Sequence, residues 1–422
     1  MKLINGSRVV IVGGGPAGSF TAIHLLNFAT RAHLEIEVTI LEPRDFKKPG
    51  PQGCNKCAGI LSSTLISNLK SLGLELPSEL IQAELTNYTL HLDDLLITLQ
   101  KPNGNRRIAS VYRGSGPRLG EPAYPISFDS WLLDQALARG ARVERVRAQD
   151  ILPGERPKVI IAQDRIIEAE LVVLASGVNS RLQLDPAWKY EPPRTEVMAQ
   201  DEAPIPDGLL DDSVHIFFDY PPGLIFGCLI PKGRYANISL LGHKLGPGAV
   251  GDFLQCHGLD KLLIPGMSLL CGCRPRVAVS SARNYYADRM VVVGDAAVTR
   301  LYKDGIGAAF VTAREAARTA IQRGVSRHNF AAGYHPTCRK IAIDNGYGRL
   351  LFRAWNLARG TPPFYNIWKR VILAETEFPP SRQLHSRVLW SMFTGDESYR
   401  RIFRLLFSKP YLLGLWKEGF RS

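Results

Sequence analysis

The sequence contains no long hydrophobic run. Within its 422 residues, no stretch approaches the roughly 18 consecutive apolar residues that a membrane-spanning helix needs, so we expect none. The first residues lack the apolar segment of a signal peptide and lead directly into a predicted strand. The seven cysteines are few, and odd in number, for a disulfide framework in a chain of this length. We therefore expect a reduced, cytoplasmic protein.

Acidic residues are also in deficit. The chain has 39 acidic and 52 basic side chains, a formal net charge of +13 and an isoelectric point near 9.5. Such a charge favours anionic partners, for example an anionic membrane, a phosphorylated substrate or an acidic electron-transfer protein. The usual sequence signatures of DNA or RNA binding are missing, so we do not expect a nucleic-acid partner.

A glycine-rich turn near the start carries the strongest functional signal. Residues 8–12 form a β-branched run typical of a buried parallel strand, and residues 19–28 have helical periodicity. The pattern Gly13-x-Gly15-x-x-Gly18 connects them. Gly13 permits the tight turn, Gly15 lets the backbone approach a pyrophosphate, and Gly18 lets helix and strand pack closely. The turn therefore predicts a dinucleotide site at a helix N-terminus.

An acidic residue ends the next predicted strand. Residues 36–41 form that strand, and Glu42 follows it, 24 residues after Gly18. A carboxylate at this place suits the adenosine ribose hydroxyls of a dinucleotide. We therefore assign the following residues of this β-turn-α-β segment to the cofactor: Gly13, Gly15, Pro16, Ala17, Gly18, Glu42, Pro43 and Arg44.

Two further turns follow predicted buried strands. One leads from residues 171–175 into a run of small residues, and the other from residues 290–293 into Gly294 and Asp295. Turns at the carboxyl ends of parallel strands face the ligand crevice, where the Asp295 carboxylate can accept sugar hydroxyls. A helix predicted over residues 307–323 offers its N-terminal amides to an anionic ligand edge. The cofactor residues expected in these turns are Gly177, Gly294, Asp295, Gly305, Ile306 and Gly307.

These three segments, in this order and spacing, resemble the FAD-binding fold of the p-hydroxybenzoate hydroxylase-type flavoproteins, which has glutathione-reductase-like topology. Three other segments resemble the geranylgeranyl reductase family within that class: residues 56–60, 128–143 and 222–238. The chain departs from that family where Val298 and Tyr302 replace Gly and Pro, and where Ile306 replaces Glu. The resemblance implies an α/β FAD-binding domain, an inserted antiparallel substrate sheet and a helical C-terminal region.

The resemblance also implies a reaction. FAD is the expected cofactor, and reduced flavin is expected to transfer hydride to a carbon–carbon double bond of a polyprenyl or isoprenoid-type apolar substrate. The sequence holds one dinucleotide fingerprint, so NAD(P)H would bind without its own Rossmann domain, or a ferredoxin-like protein would donate the electrons. The alternatives are an FAD monooxygenase of an apolar or aromatic substrate, a flavin halogenase, and a non-catalytic, membrane-associated flavin carrier.

The pair Cys54-x-x-Cys57 keeps several interpretations open. It has the form of half a zinc or iron–sulfur site, but Cys271-x-Cys273 has the wrong spacing for the other half, so we expect no metal. A redox-active dithiol and an inert loop are the other readings from the residues. The resemblance implies instead that Cys57 is catalytic beside the flavin, positioning substrate or handling a proton. By the same resemblance the cofactor also contacts the two residues that follow, Ala58 and Gly59.

Arg113 precedes the predicted helix over residues 128–139, and Asp129 lies at the start of that helix. Arg113 resembles the arginine that this flavoprotein class directs at FAD, and a solvated surface arginine is the alternative. Asp129 is the expected N-cap of the helix, which Gly140 is expected to close.

The chain is long enough for two or three folding units, and 45% of its residues are hydrophobic. Residues 85–99 are predicted as one strand, and the strand-rich stretch over residues 185–283 as part of an antiparallel sheet. The expected domains are discontinuous: FAD-binding residues 1–84, 128–184 and 284–325, substrate-domain residues 85–127 and 185–283, and a helical region over residues 326–422.

The end of the chain combines charge with apolar character. Residues 399–417 interleave basic, aliphatic and aromatic side chains. This pattern suits the interface of an anionic membrane, so we expect peripheral membrane contact through the C-terminal helices. Packing of the same residues against the protein core is the alternative.

Overall fold

The structure is a computed structural model that describes residues 1–54, 58–93, 95–102, 106–120, 126–180, 182, 184–206, 210, 212–262 and 269–419. The chain divides into two compact units, each built from three segments. Unit 1 comprises Met1–Cys57, Tyr112–Glu196 and Arg276–Ala342, and unit 2 comprises Ala58–Val111, Val197–Pro275 and Ile343–Ser422.

The strands, numbered along the chain, are β1 (Ser7–Val12), β2 (Ile36–Leu41), β3 (Ile60–Leu61), β4 (Ile81–Glu84), β5 (Asn87–Leu92), β6 (Leu95–Gln100), β7 (Ala109–Val111), β8 (Arg142–Glu144), β9 (Ala148–Leu152), β10 (Lys158–Ile161), β11 (Ile166–Glu168), β12 (Leu171–Leu174), β13 (Thr195–Val197), β14 (Ala199–Pro204), β15 (Ser213–Phe217), β16 (Leu224–Lys232), β17 (Tyr235–Gly242), β18 (Arg276–Ala278), β19 (Tyr286–Ala287) and β20 (Met290–Val292). The α-helices are α1 (Pro16–Arg31), α2 (Ser63–Ser71), α3 (Phe128–Leu137), α4 (Ala249–Cys256), α5 (Gly305–Gln322), α6 (Arg327–Gly333), α7 (His335–Arg359), α8 (Pro362–Glu375), α9 (Leu384–Thr394), α10 (Tyr399–Leu406) and α11 (Lys409–Gly419).

Unit 1 is built around a six-stranded sheet with the order β19-β20-β12-β1-β2-β8. Strand β1 lies in its middle and pairs in parallel with β12 and with β2. Its residues Val9, Val10 and Ile11 are at most 1% exposed, as expected for a strand that is covered on both faces. Helices α1 and α5 pack together, with the rings of Phe20 and Phe310 5.1 Å apart. The carboxyl ends of these parallel strands therefore meet at one edge of a rigid, buried sheet.

Unit 2 contains a second six-stranded sheet, in the order β14-β17-β16-β15-β5-β6. Its pairs are antiparallel except that β15 runs parallel to β5. On one face the sheet packs against α8 and α9 through Trp368, Ile372 and Trp390. On the other face Phe253 and Leu254 of α4 cover it. The C-terminal helices are thus part of the core of unit 2.

The unit boundaries differ from those expected from the sequence. The first crossing falls after residue 57 and not after residue 84, because β3 and β4 pair with β7 and so belong to unit 2. Residues 343–422, expected within a separate helical region, share the core of the unit 2 sheet.

Two local predictions need correction. Residues 85–99 form a hairpin, β5–β6, and not one strand, because the chain reverses at Asp93 with φ +56°. Asp129 is not the N-cap of α3: the Ser127 hydroxyl accepts the hydrogen bond from the Ser130 N–H at 3.2 Å. Asp129 lies in the first turn of the helix and is engaged elsewhere, as described below.

No helix within the described ranges combines the length and the apolar character that crossing a bilayer requires.

Candidate functional site

The three predicted turns meet at one end of the unit 1 sheet. Gly13, directly after β1, has φ +108°, a conformation that favours glycine. A Cβ on Gly13 would lie 2.6 Å from the carbonyl oxygen of Ala175, the residue directly after β12. A Cβ on Gly294 would lie 2.7 Å from the Cβ of Ala17 in the first turn of α1. The turns after β12 and β20 therefore both contact the glycine turn.

The start of α1 packs on this turn so closely that only glycine fits. A Cβ on Gly18 would lie 1.8 Å from the carbonyl oxygen of Gly13. Gly15 is the N-cap without a side-chain capping bond, and Pro16, which has no N–H, opens the helix. The first turn of α1 contains no acidic residue. This helix start therefore presents its backbone amides and the positive end of its dipole without a capping side chain, as anion-binding helix termini do.

Glu42, expected at the adenosine ribose, is 2% exposed and already engaged. Its Oε2 accepts a hydrogen bond from the Gly14 N–H at 2.9 Å, and its Oε1 accepts one from the Arg44 N–H at 3.0 Å. The Arg44 guanidinium adds Nε–Oε1 and Nη2–Oε2 contacts of 3.0 and 3.1 Å. Because a carboxylate offers about four acceptor positions, a ribose hydroxyl reaches Glu42 only after the one-third-exposed Arg44 side chain turns away. The Gly14 bond would still hold the carboxylate at the turn.

Asp295 lies in the turn after β20 and holds an unsatisfied acceptor. Its Oδ1 is shielded from solvent and accepts no hydrogen bond from the described residues. Burial raises the pKa of this carboxyl above its ordinary value, although the nearby Thr299 hydroxyl and the charge of Arg113 act in the opposite direction. A buried acceptor without a donor is costly. A ligand hydroxyl is the kind of group that would remove that cost.

The start of α5 lies beside Asp295. A Cβ on Gly305 would lie 3.4 Å from Asp295 Oδ1, so this glycine keeps the carboxylate face open. A Cβ on Gly307 would lie 2.5 Å from both carboxylate oxygens of Asp304. Asp304 caps the helix in the left-handed conformation, with φ +52°, which is strained for a non-glycine residue. The carboxylate of Asp304 thus lies at the start of α5. The sequence predicts that the backbone amides at this helix start face the anionic edge of a ligand.

Arg113 and Asp129 form a buried ion pair in unit 1. Arg113 is 6% exposed and Asp129 is fully buried. The Arg113 Nε contacts Asp129 Oδ1, and its Nη2 donates to Oδ2 at 3.0 Å. The alternative of a solvated surface arginine is therefore wrong. Sequence reasoning missed Asp129 as the partner because its position suggested a helix cap, and no sequence signal distinguishes the two roles.

The structure distributes the predicted site residues unevenly. Cys57, expected to be catalytic, lies outside the described residues, and Ala58 and Gly59 belong to unit 2. Unit 1 holds the others: Gly13, Gly15, Pro16, Ala17, Gly18, Glu42, Pro43, Arg44, Arg113, Gly177, Gly294, Asp295, Gly305, Ile306 and Gly307.

Unit 2 contains a buried charge pair that sequence reasoning missed. Lys232 is 1% exposed, and its Nζ lies 3.3 Å from Glu202 Oε1, which also accepts from Asn237 Nδ2 at 3.3 Å. A Cβ on Gly59 would lie 3.3 Å from Lys232 Nζ and 2.0 Å from the Val111 carbonyl oxygen. The segment around Glu202 reads as polar in the sequence, which hides the buried strand β14. The pair borders the first described residues after Cys57.

The fold of the chain is similar to folds of known structure. No family model matches the chain, and no curated protein matches it. Among solved structures, a geranylgeranyl bacteriochlorophyll reductase-like protein from Thermoplasma acidophilum is similar, with a TM-score of 0.65 and 15% identity over 99% of this chain and 100% of that one. A flavoprotein/dehydrogenase from Cytophaga hutchinsonii gives 0.62 and 17% over 98% and 96%.

An oxygenase acting on 2-methyl-3-hydroxypyridine-5-carboxylic acid is also similar, with a TM-score of 0.58 and 16% identity over 84% of this chain and 92% of that one. At these identities the likeness defines the fold. The expected fold class is confirmed: the chain has the Rossmann-type α/β fold of these flavoprotein structures, with a helical C-terminal region.

The residues of unit 1 fit FAD in two independent respects. Gly13, Gly18 and Gly294 let the three turns pack closely, which places the start of α1, with no capping side chain, at the end of the sheet. Asp295 Oδ1 is a buried acceptor that lacks a donor among the described residues. A pyrophosphate flanked by hydroxylated chains supplies an anion for the first feature and donors for the second.

Proposed function

We propose that unit 1 binds FAD and that the chain is an FAD-dependent oxidoreductase that reduces carbon–carbon double bonds of a polyprenyl-type apolar substrate. One observation carries the cofactor assignment: three strand-end turns converge on the amide-bearing start of α1, next to Asp295 Oδ1, which accepts no hydrogen bond from the described residues.

The residues of unit 1 divide the binding of FAD among them. The backbone from Gly13 to Gly18 receives the pyrophosphate at the start of α1. Glu42 accepts the adenosine ribose hydroxyls once Arg44 has turned away, and Asp295 Oδ1 accepts a hydroxyl of the ribityl chain. Asp129 holds the guanidinium of Arg113 in place, and the positive charge of Arg113 acts on Asp295. These residues orient the cofactor and exclude water from it.

Bound FAD would supply two-electron chemistry, taking up a hydride from NAD(P)H, or two electrons from a ferredoxin-like donor with a proton from solvent, for transfer as hydride to one carbon of the double bond. A protein or solvent acid would supply the proton for the other carbon. We assign that proton, or the positioning of the substrate, to Cys57. The +13 net charge suits either donor, because a nicotinamide dinucleotide and an acidic redox protein are both anionic.

Two findings support a polyprenyl-type substrate over other acceptors. The segments over residues 56–60, 128–143 and 222–238 resemble the geranylgeranyl reductase family. A protein described as geranylgeranyl bacteriochlorophyll reductase-like matches the fold over nearly the whole of both chains.

The test is an anaerobic acceptor screen. The purified, FAD-loaded protein is reduced photochemically without oxygen and mixed with isoprenoid lipids of increasing chain length. We expect the flavin absorbance to return, with one lipid product heavier by two hydrogens for each flavin reoxidised. Reduced flavin that no lipid reoxidises would contradict the reductase assignment while leaving FAD binding intact.

A monooxygenase is the second candidate, because the fold also matches an oxygenase over 84% of this chain. The departures from the reductase family at Val298, Tyr302 and Ile306 lie where flavin and substrate are expected to meet, so they leave the reaction open. The same screen under ¹⁸O₂ separates the two reactions: an oxygenase product gains one labelled oxygen atom, whereas a reductase product gains none. A chain that yields neither product with its flavin bound would leave the flavin halogenase and the non-catalytic flavin carrier as the alternatives.

A further inference from the structure

The last two helices of unit 2 expose a cluster of large apolar side chains. Phe407, Leu412, Leu413 and Trp416 are 65%, 48%, 53% and 61% exposed, and they lie within ten residues of sequence. We call these four residues the terminal patch. Single exposed apolar residues are ordinary in folded proteins, but a contiguous exposed group marks a surface that binds something.

The opposite face of α11 holds the terminal patch in place. Tyr411 is 5% exposed, and its ring lies 4.0 Å from that of His385 on α9. A Cβ on Gly414 would lie 2.6 Å from His385 Cε1, so α11 approaches α9 to backbone contact at this point. Leu415 packs against the core cluster of the unit 2 sheet. Tyr411, Gly414 and Leu415 face inward on one side of α11. Helical spacing therefore turns Leu412, Leu413 and Trp416 outward on the other side.

An aromatic column continues the inward support through α10 to α7. The rings of Tyr347 and Phe403 lie 5.4 Å apart, and those of Phe403 and Phe407 lie 4.8 Å apart. Phe407, the outermost ring of this column, is mostly exposed. The terminal patch is therefore built on packed helices, so its residues are presented in a fixed arrangement.

Most of the charge around the terminal patch is basic, with Glu397 and Glu418 on either side of the stretch that carries it. Residues 399–417 contain five basic residues and no acidic residue. Of these, Arg401 pairs with Glu397 at 3.1 Å and stays 60% exposed. The side chains of all five are exposed: Arg400, Arg401, Arg404, Lys409 and Lys417.

We propose that the terminal patch is a docking surface for an anionic lipid membrane, with α11 lying in the plane of the interface. The basic side chains fit anionic headgroups, and the leucines and aromatic rings fit the boundary with the acyl chains, where tryptophan is enriched. A second copy of the chain fits less well, because two patches of the same sign would repel each other. Helix α11 has 11 residues and is about 16 Å long, a length suited to lying along the interface. The inference does not depend on the proposed reaction.

The test is flotation of the full chain with vesicles of phosphatidylcholine alone or with 30% phosphatidylglycerol, in low and high salt. We expect binding to the anionic vesicles, weakened by salt and small on neutral vesicles. Replacing Leu412 and Trp416 together by Ser should lower binding at least about tenfold. Reversing Arg404 and Lys409 to Glu should lower it by about fivefold or more for each charge.

The control variants are Ile166→Ser, an apolar residue of unit 1 with 53% exposure, and Arg142→Glu, an exposed basic residue of the same unit. Both should bind vesicles as the wild type does, and all variants should keep the wild-type thermal midpoint because the altered side chains are exposed. Wild-type protein that does not float with the anionic vesicles would overturn the proposal. So would a dimer in sedimentation that the Leu412/Trp416 variant abolishes, since a second copy would then cover the patch.

Discussion

Gly18 leaves no room for a side chain, because its Cβ would lie 1.8 Å from the backbone oxygen of Gly13. A backbone atom at the centre of the glycine turn cannot yield as a flexible side chain can. We expect Gly18→Ala to destabilise unit 1 by about 3 kcal/mol, at the upper end of overpacking costs, and to abolish FAD binding. Urea unfolding and FAD titration measure the two effects.

Gly251 in α4 is the matched control, because a Cβ there meets nothing within 4 Å. Gly251→Ala should stabilise the protein by about 0.5–1 kcal/mol through helix propensity. A Gly18→Ala protein with wild-type stability and full FAD binding would show that the turn is not packed as described.

Lys232 is a residue of unit 2 whose loss should be costly. Its Nζ pairs with Glu202 in a site where the lysine is 1% exposed. Lys232→Met leaves the Glu202 carboxylate buried without its cation, which costs about 3–5 kcal/mol. The double variant with Glu202→Gln removes both charges and should recover more than half of that loss. Equal stability of the single and double variants in urea would contradict the buried pair.

Among the elements, α8 and α9 are joined by an acid-sensitive contact. The Glu375 carboxylate accepts the backbone N–H groups of His385 and Ser386 at 2.9 and 2.8 Å, and His385 Nδ1 lies 2.8 Å from its Oε1. Burial acts to raise the pKa of Glu375, but the hydrogen bonds from His385 and Ser386 outweigh it, so the pKa lies below the ordinary 4.5. Glu375 therefore contributes stability that is complete above pH 4.5 and is lost as the pH falls through its folded-state pKa.

We expect the urea midpoint of unit 2 to fall as the pH is lowered below about 4.5. Glu375→Gln should lower the midpoint at pH 7 and make the acid dependence shallower. Some dependence should persist, because hydrogen bonds from Ser63, Trp390 and Arg106 also hold the pKa of Asp396 below its ordinary value against the effect of burial. Glu377→Gln, at an exposed position two residues away, should leave the profile unchanged.

The sequence was sufficient to predict elements whose hydrophobic pattern agrees with the positions of their turn-forming residues. Strand β2 has the bounds that its apolar run predicted, and the glycine turn lies between β1 and α1 as expected. Strand β14 was beyond sequence reasoning because its buried residues include Asp201 and Glu202. Asp201 is buried because it accepts the backbone N–H groups of residues 270–272, and no local pattern reveals partners 69 to 71 residues away.

The features of the candidate site likewise divide into those that the sequence predicts and those that it does not. The cofactor turns were predictable because glycine and strand patterns are local. The engagement of Glu42 by Arg44 and of Arg113 by Asp129 was not, since each depends on the conformation of long side chains. The strained cap at Asp304 was equally hidden, because nothing in the sequence around it requires a left-handed residue.

At the scale of the whole molecule, the C-terminal helices complete unit 2. Trp390 of α9 is fully buried, and its ring lies 5.2 Å from Tyr88 on the sheet. We expect Trp390→Ala to destabilise the full chain by about 3–5 kcal/mol. Trp416→Ala, at a position with 61% exposure, should change stability by less than about 0.5 kcal/mol. Similar effects of the two substitutions on the urea midpoint would mean that residues 343–422 are not part of this core.

FAD binding by unit 1 underlies every proposed role of the site, and Asp295 offers its most direct test. Because Asp295 Oδ1 is buried and no described residue donates to it, Asp295→Ala should leave the cofactor-free protein at least as stable as the wild type. The same substitution removes the acceptor of a ligand hydroxyl, so FAD affinity in calorimetric titration should fall about 10- to 100-fold, equivalent to about 1.5–3 kcal/mol. Wild-type protein should bind one FAD per chain. No FAD binding by the wild type, or equal affinity in Asp295→Ala, would contradict the account.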